Sequence, residues 1–283
     1  MSVTLPTYPL QRRTSRLPEV VVDGLPAGHA LRGSVLVLGN FDGFHLGHQA
    51  LARMANELAA GAPVAVMSCE PHPRSFFSQD RTPFRLATPA AKQLELGQYG
   101  VDFVYSPRFD QSFAKFEPVD FVDGILAEAL GVRHVIAGPD FRFGHKRSGD
   151  MGLLAQLGSE RGFSVSVAPD VTHAGVRISS TLIRSAIEAG DVSGAVRLMG
   201  HGWLVETQST ADGGLMLHPL LCRPRPGRYV GRADGGGEAL RIEIGADGAF
   251  RPLGPHRLPD PRQMWRLEGQ CGRRRHERPF AAL

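Results

Sequence analysis

Residues 35–48, Val-Leu-Val-Leu-Gly-Asn-Phe-Asp-Gly-Phe-His-Leu-Gly-His, change character twice within one short stretch. The apolar run Val35 to Leu38 reads as a buried parallel strand. Gly39 ends it, and Gly43 and Gly47 keep the following turn free of bulky side chains. From Leu46 the apolar residues Leu46, Ala50, Leu51, Met54, Ala55 and Leu58 recur at helical spacing. A strand, a tight glycine-rich turn and a helix aim backbone N–H groups and the helix dipole at an anion, most often phosphate. His45 and His48 stand three residues apart where that helix begins, each able to donate a hydrogen bond near neutral pH.

Other readings of the two histidines stay open on the residues alone. They could ligate a metal, with Asp42 the nearest third ligand, or lie on the surface without a role. The lysine-bearing phosphate loop is excluded, because no Gly-Lys-Ser/Thr follows.

A second stretch, Val176-Arg177-Ile178-Ser179-Ser180-Thr181-Leu182-Ile183-Arg184, repeats the pattern of hydroxyls before an apolar helix. Ser179 or Ser180 suits the N-cap, and Arg184 falls one turn in on the side of Ser180 and Thr181. Capping accounts for the hydroxyls, but not for the guanidinium. Together they make a second polyphosphate site.

Around these stretches, buried strands are expected at Val64–Met67 and Val135–Gly138, further strands at Val101–Tyr105 and, from its alternation, Phe163–Val167, and an edge strand at Val20–Val22. Helices are expected over 89–100, Val119–Leu130, Leu153–Arg161, after Ser180 and over Asp191–Met199. Two strand ends run into loops rich in chemistry: Cys69-Glu70-Pro71-His72-Pro73-Arg74, and Pro139-Asp140-Phe141-Arg142-Phe143-Gly144. The carboxyl ends of strands are where open α/β sheets place ligands.

Gly39 to His48 resembles the first signature of the bacterial FAD synthetases, the N-terminal modules of bifunctional riboflavin kinase/FMN adenylyltransferases. Ile178-Ser179-Ser180-Thr181-Leu182-Ile183-Arg184 is similar to the second signature, and the Pro71-His72-Pro73, Phe109–Ala114 and Asp140–Gly144 strings resemble the family too. Cys69 and Pro139 depart from the family's usual phenylalanine and acidic residue. The resemblance implies a Rossmann-like nucleotidylyltransferase domain with a parallel sheet at 34–200, after a leader and edge segment at 1–33. It also implies transfer of AMP from ATP to FMN, giving FAD and pyrophosphate.

In that reading His45, His48 and Arg184 are catalytic, and Gly39, Asn40, Phe41, Asp42, Gly43, Gly47, Ser180 and Thr181 bind ATP phosphates. Pro71, His72, Pro73, Asp140, Phe141 and Phe143 face the flavin and nucleotide. Magnesium arrives with ATP and bridges its phosphates, with no direct protein ligand expected. A transferase for another phosphate acceptor and a non-catalytic flavin- or nucleotide-binding protein are the alternatives.

Residues 201–283 hold 13 Gly and 8 Pro, with short β-like runs at Arg228–Val230 and Leu240–Ile244. The family's riboflavin kinase barrel would follow here, but its Gly-x-Pro-Thr-Ala-Asn signature is absent after Gly202. A small, mostly β, degenerate kinase-like tail is therefore expected. Composition sets the remaining bounds. Hydrophobic content of 42% against 21% charged suits a globular protein, and no apolar run reaches the ~20 residues of a membrane span. Residues 1–200 balance 19 Lys+Arg against 19 Asp+Glu, so the net +4 lies in the tail, around Arg273, Arg274 and Arg275. With no aromatic platform beside them, no nucleic-acid partner is expected. Three scattered cysteines and no secretory h-region point to a reducing, cytoplasmic setting. Oligomeric state is not legible.

Overall fold

The computed structural model describes residues 16–254 and 263–271. The first half of the leader and the 273–275 arginine cluster lie outside the described residues. The chain divides into two compact units, one of residues 1–82 and 92–179, the other of residues 83–91 and 180–283.

In the first unit the elements follow the apolar pattern: β1 (Glu19–Val21), β2 (Val35–Leu38), α1 (Leu46–Ala59), β3 (Val64–Met67), α2 (Pro73–Phe77), most of α3 (Pro89–Gln98) and β4 (Phe103–Tyr105). After these come α4 (Pro118–Asp120), continued by a π-helix over Phe121–Ala129, then β5 (His134–Ala137), α5 (Met151–Glu160) and β6 (Ser164–Val167). A two-stranded hairpin, β7 (Thr172–His173) and β8 (Val176–Arg177), closes the unit.

Six strands form one parallel sheet in the order β1-β4-β3-β2-β5-β6. Alternation assigns the two faces. Leu36, Leu38, Val135 and Ala137 pack with Phe121, Val122 and Leu126 of the π-helix and with Leu154 of α5. Val35, Val37, Val66 and Ile136 pack with Ala52, Ala55 and Ala59 of α1 and Leu96 of α3. Each Val, Leu, Ile or Phe among these, fully buried, contributes about 1.5–3 kcal/mol relative to exposure. This is the doubly covered parallel sheet that the near-continuous apolar runs imply.

Sheet order then locates the ligand crevice. From β2 the chain moves outward through β3 to β4, then returns to the other side of β2 to place β5 and β6. The topological switch lies between β2 and β5, so Gly39 and Gly138 flank the crevice at the strands' carboxyl ends.

Three local details differ from the sequence reading. The helix expected over Val119–Leu130 is mostly π-helical, and its last N–H, on Leu130, reaches back five residues to Ile125 O at 3.0 Å. Its deepest residues, Val122, Leu126 and Leu130, recur every four positions, which suits that wider turn. The loop expected over Cys69–Arg74 runs into a short helix, because Pro73 presets the first turn and His72 caps it. The β7–β8 hairpin, exposed along both strands, carries no burial pattern that the sequence could have displayed.

The second unit comprises α6 (Ser180–Glu188), α7 (Val192–Met199) and six strands: β9 (Trp203–Ser209), β10 (Leu215–Leu217), β11 (Gly227–Ala233), β12 (Leu240–Ile244), β13 (Ala249–Leu253) and β14 (Met264–Gln270). They close an antiparallel barrel in the order β10-β13-β12-β11-β14-β9. Trp203, Tyr229, Phe250 and Trp265 fill its interior, each buried almost completely. Helix α7 packs against β14 and β9, and Asp191 caps its amino end through Gly194 N at 3.0 Å. Residues 83–91 belong here as well: Trp203 Nε1 donates to Leu86 O at 2.7 Å, and Thr88 Oγ1 donates to Glu206 Oε2 at 2.5 Å. Among the described residues no helix is long and apolar enough to cross a membrane. All three cysteines are free thiols.

Candidate active site

The turn after β2 is strained and buried. Phe41 (φ 49°) and Phe44 (φ 28°) adopt left-handed backbone although both carry large side chains, and both are fully buried. Their rings are anchored on α1 and on the residue after α3, Phe41 against His48 at 4.9 Å and Phe44 against Tyr99 at 4.6 Å between centroids. Packing thus holds a conformation costing on the order of 1–3 kcal/mol per residue, a pattern concentrated at functional sites. Gly43, at φ 81°, adopts the left-handed backbone between them without a side-chain penalty.

His45 caps α1: its Nδ1 accepts from His48 N at 3.3 Å. An accepting Nδ1 carries no proton, so the neutral ring holds its hydrogen on Nε2. The two imidazoles stack at 3.7 Å between centroids, with 15° between their planes. Burial pushes the His48 pKa well below its ordinary 6.5, helped by repulsion from His45 and from Lys92. Its Nδ1 is buried without a hydrogen-bond partner among the described residues. A proton there would be an unsatisfied donor, so the neutral ring also keeps its hydrogen on Nε2. Gly47 makes the stack possible, since a Cβ at that position would lie 3.1 Å from the His45 ring. Two neutral donors at a helix amino end suit a phosphoryl group that gains charge as it reacts.

At the end of β3, Ser68 Oγ donates to Asn40 O at 3.1 Å, tying the neighbouring strand end to the turn. Lys92 of α3 donates to Ser68 Oγ at 2.5 Å and lies 3.7 Å from Glu70 Oε1. Sequence reading missed Lys92. It stands four and seven residues before Leu96 and Tyr99, on their apolar stripe, which was the available signal. Burial pushes the Cys69 thiol up to about 12, an inert packing role rather than a nucleophile's. Pro71 is exposed, and His72 Nδ1 accepts from Arg74 N at 3.0 Å, so capping occupies that nitrogen.

A run of aromatic rings begins here. Exposed Phe77 meets Phe76 at 5.1 Å and Phe109 at 5.6 Å, and the chain of contacts continues through Phe113, Phe121 and Phe143 to Phe141. Phe143 is part of the hydrophobic core, whereas Phe141 is half-buried beside it. Asp140 is exposed at the end of β5 and pairs with Arg177 of β8, whose Nε also meets Asp170 Oδ1 at 2.9 Å. Phe76, Phe77 and Arg177 had not been singled out. Asp42, His45 and His48 do not make a metal site: among the described residues no three His, Cys, Asp or Glu are grouped to hold an ion.

The structure therefore gathers Gly39 to His48 in one turn and sets Asp140 and Phe141 at the partner strand end of the same sheet. Ser180, Thr181 and Arg184 begin α6 in the second unit. Thr181 is exposed, Ser180 is half-buried, and the Arg184 guanidinium lies 5.9 Å from the centroid of the Phe84 ring.

Comparison with known proteins gives this arrangement a context. The model of a family described as FAD synthetase matches residues 28–182. The chain is 43% identical over 171 residues to the bifunctional riboflavin kinase/FMN adenylyltransferase of Pseudomonas fluorescens, covering 60% of this chain and 55% of that protein. It is 39% identical over 175 residues to the protein of the same description from Escherichia coli K12, covering 61% and 56%. The matched segment thus spans about half the length of these curated relatives. A solved structure of a macrolide-efflux protein from Streptococcus pneumoniae is similar in fold, with a TM-score of 0.74 at 24% identity, over 89% of this chain and 90% of that one.

Proposed function

Since this chain belongs to the FAD synthetase family, we propose that it is an FMN adenylyltransferase, converting ATP and FMN to FAD and pyrophosphate, with a barrel that has no riboflavin kinase activity. The observation that carries the reading is the stacked His45–His48 pair at the amino end of α1, beside the switch point of the sheet.

An oxygen of the FMN phosphate attacks the α-phosphorus of ATP. The new P–O bond forms as the bond to the bridging oxygen of the pyrophosphate breaks, and pyrophosphate departs with that electron pair. The attacking oxygen is already anionic, so no strong base is needed. The protein's work is alignment and charge stabilisation. His45 and His48 donate from Nε2 to the phosphoryl oxygens, while the turn from Asn40 to Gly43 and the α1 amino end cradle the phosphates. Ser180, Thr181 and Arg184 take the leaving pyrophosphate, on the strength of their signature. Magnesium enters with ATP as part of the substrate, carried by phosphate oxygens and water. The ring ladder from Phe77 to Phe141, with Asp140, supports an apolar ring system on the acceptor.

For the second unit, two observations support a barrel without kinase chemistry. The expected Gly-x-Pro-Thr-Ala-Asn string is missing, since β9 ends in Ser209 and turns through Thr210-Ala211-Asp212-Gly213-Gly214. Aromatic side chains also fill the barrel interior. Purified protein with magnesium and ATP, given FMN or riboflavin in separate reactions, tests both halves of the proposal. FAD and pyrophosphate from FMN, with nothing from riboflavin, is the expected result. FMN formed from riboflavin overturns the statement about the barrel. Binding of FMN and ATP without product overturns the assignment as an enzyme.

A further inference from the structure

A lysine only 4% exposed needs close partners for its ammonium group, because removing a charge from water costs several kcal/mol. Lys92 has the Ser68 hydroxyl at 2.5 Å and the Glu70 carboxylate at 3.7 Å. The shorter contact goes to a hydroxyl whose own proton is committed elsewhere. Ser68 is itself fixed in place: its N–H donates to Tyr105 O at 2.9 Å, and its carbonyl accepts from Ser106 Oγ at 3.1 Å. Having accepted from Lys92, the Ser68 hydroxyl donates to Asn40 O at 3.1 Å. Ammonium, hydroxyl and carbonyl form a polarised chain, each bond strengthening the next. The Asn40 carbonyl belongs to the planar peptide that leads into Phe41, the first left-handed residue of the turn.

We propose that Lys92, acting through Ser68, is a positioning residue that fixes the Asn40–Phe41 peptide and thereby the turn that presents His45 and His48. Lys92 is too deeply buried to meet a ligand itself, so its effect passes through the turn. The inference rests on the reading of this turn as the phosphate-transfer loop.

The test compares the full chain with Ser68→Ala, Lys92→Met and the double variant, measuring FAD formation from MgATP and FMN alongside thermal melting. Ser68→Ala is expected to lower kcat about ten- to hundredfold with the KM for FMN unchanged, as for a misplaced catalytic group. The double variant should be no slower than Lys92→Met, because both changes break one relay. A Ser68→Ala protein that melts lower yet keeps its kcat overturns the inference, as do losses that multiply in the double variant. Should Lys92→Met fail to fold, Ser68→Ala decides the matter alone. If the unmodified protein makes no FAD, the functional reading fails, and MgATP binding becomes the readout. Weaker binding by Ser68→Ala then upholds the relay, and equal binding overturns it.

Discussion

The two units use burial for opposite ends. The first hides polar groups, Asp42, His45, Gln49, Ser68 and Lys92, at the carboxyl ends of its strands. It also holds two bulky residues, Phe41 and Phe44, in left-handed backbone beside them. The second fills a closed barrel with Trp203, Tyr229, Phe250 and Trp265, and among the described residues only Gln263 is a non-glycine with positive φ there. A parallel sheet covered on both faces leaves its strand ends available, so strain and buried polarity can collect where a ligand arrives. A small antiparallel barrel removes its edges by closure and fills its interior with side chains. Its buried aromatics therefore concern stability, and the proposed chemistry falls to His45 and His48 of the first unit.

Trp203→Ala should have the largest effect and should fall on stability alone. Removing a fully buried indole, with its hydrogen bond to Leu86 O, costs about 3–5 kcal/mol. Denaturant unfolding reads that loss, and kcat for FAD formation below the transition should hardly move. A collapse of kcat in folded Trp203→Ala would break the division of labour just drawn. His45→Ala and His48→Ala should do the reverse, lowering kcat by about 10²–10³, as when one oxyanion donor is lost. Pyrophosphate release measures this, and stability should fall by less than in Trp203→Ala, by about 0.5–2 kcal/mol where the α1 cap is lost in His45→Ala.

Gly47→Ala sharpens the contrast within a single helix turn. Alanine favours the helix over glycine by about 1 kcal/mol. Its Cβ, however, would sit 3.1 Å from the His45 ring, which must then shift by a few tenths of an ångström. Unchanged or raised melting with a roughly tenfold lower kcat is the expected pair of results. Lower melting with intact kcat would mean that the stack is only packing.

Much of this was legible in the sequence for definite physical reasons. The runs Val35–Leu38, Val64–Met67 and Val135–Ala137 announce strands buried on both faces, and their glycine-rich sequels announce the crevice. Arg228–Val230 and Leu240–Ile244 announced β structure in the tail, which the barrel contains as β11 and β12. Contacts between residues far apart in sequence were not legible. The apolar stripe of Leu96 and Tyr99 marks Lys92 as inward-facing, but not its partner Ser68, 24 positions away. Phe84 precedes α3 in sequence, and nothing there foretells that it belongs with Arg184. The π-helix was hidden because its apolar pattern fits an α-helix almost as well. Asp140 advertised chemistry, but its pairing with Arg177 depended on a hairpin without a burial pattern.

The smallest expected effect is a dependence on pH, and it follows from the neutral His48. Burial is the main cause of its lowered pKa, with the Lys92 charge, and any proton on the neighbouring His45 ring, adding to it. In the unfolded chain this ring takes up a proton near its ordinary 6.5, whereas the folded protein resists it. Below that value the unfolded state holds the extra proton, so stability falls as pH drops, until the folded ring also titrates and the loss stops. Melting temperatures should thus decline on the acid side of 6.5, and His48→Gln should remove that part of the decline. The same lowered pKa keeps the ring a neutral Nε2 donor as pH passes through 6.5, so kcat should stay level there and fall only at lower pH. Lys92→Met deletes one of the repelling charges, and the acid limb of its kcat profile should move up toward 6.5. A limb already centred at 6.5 in the unaltered protein would mean that His48 is solvated during turnover, and that the first unit does not keep its histidine buried when it matters.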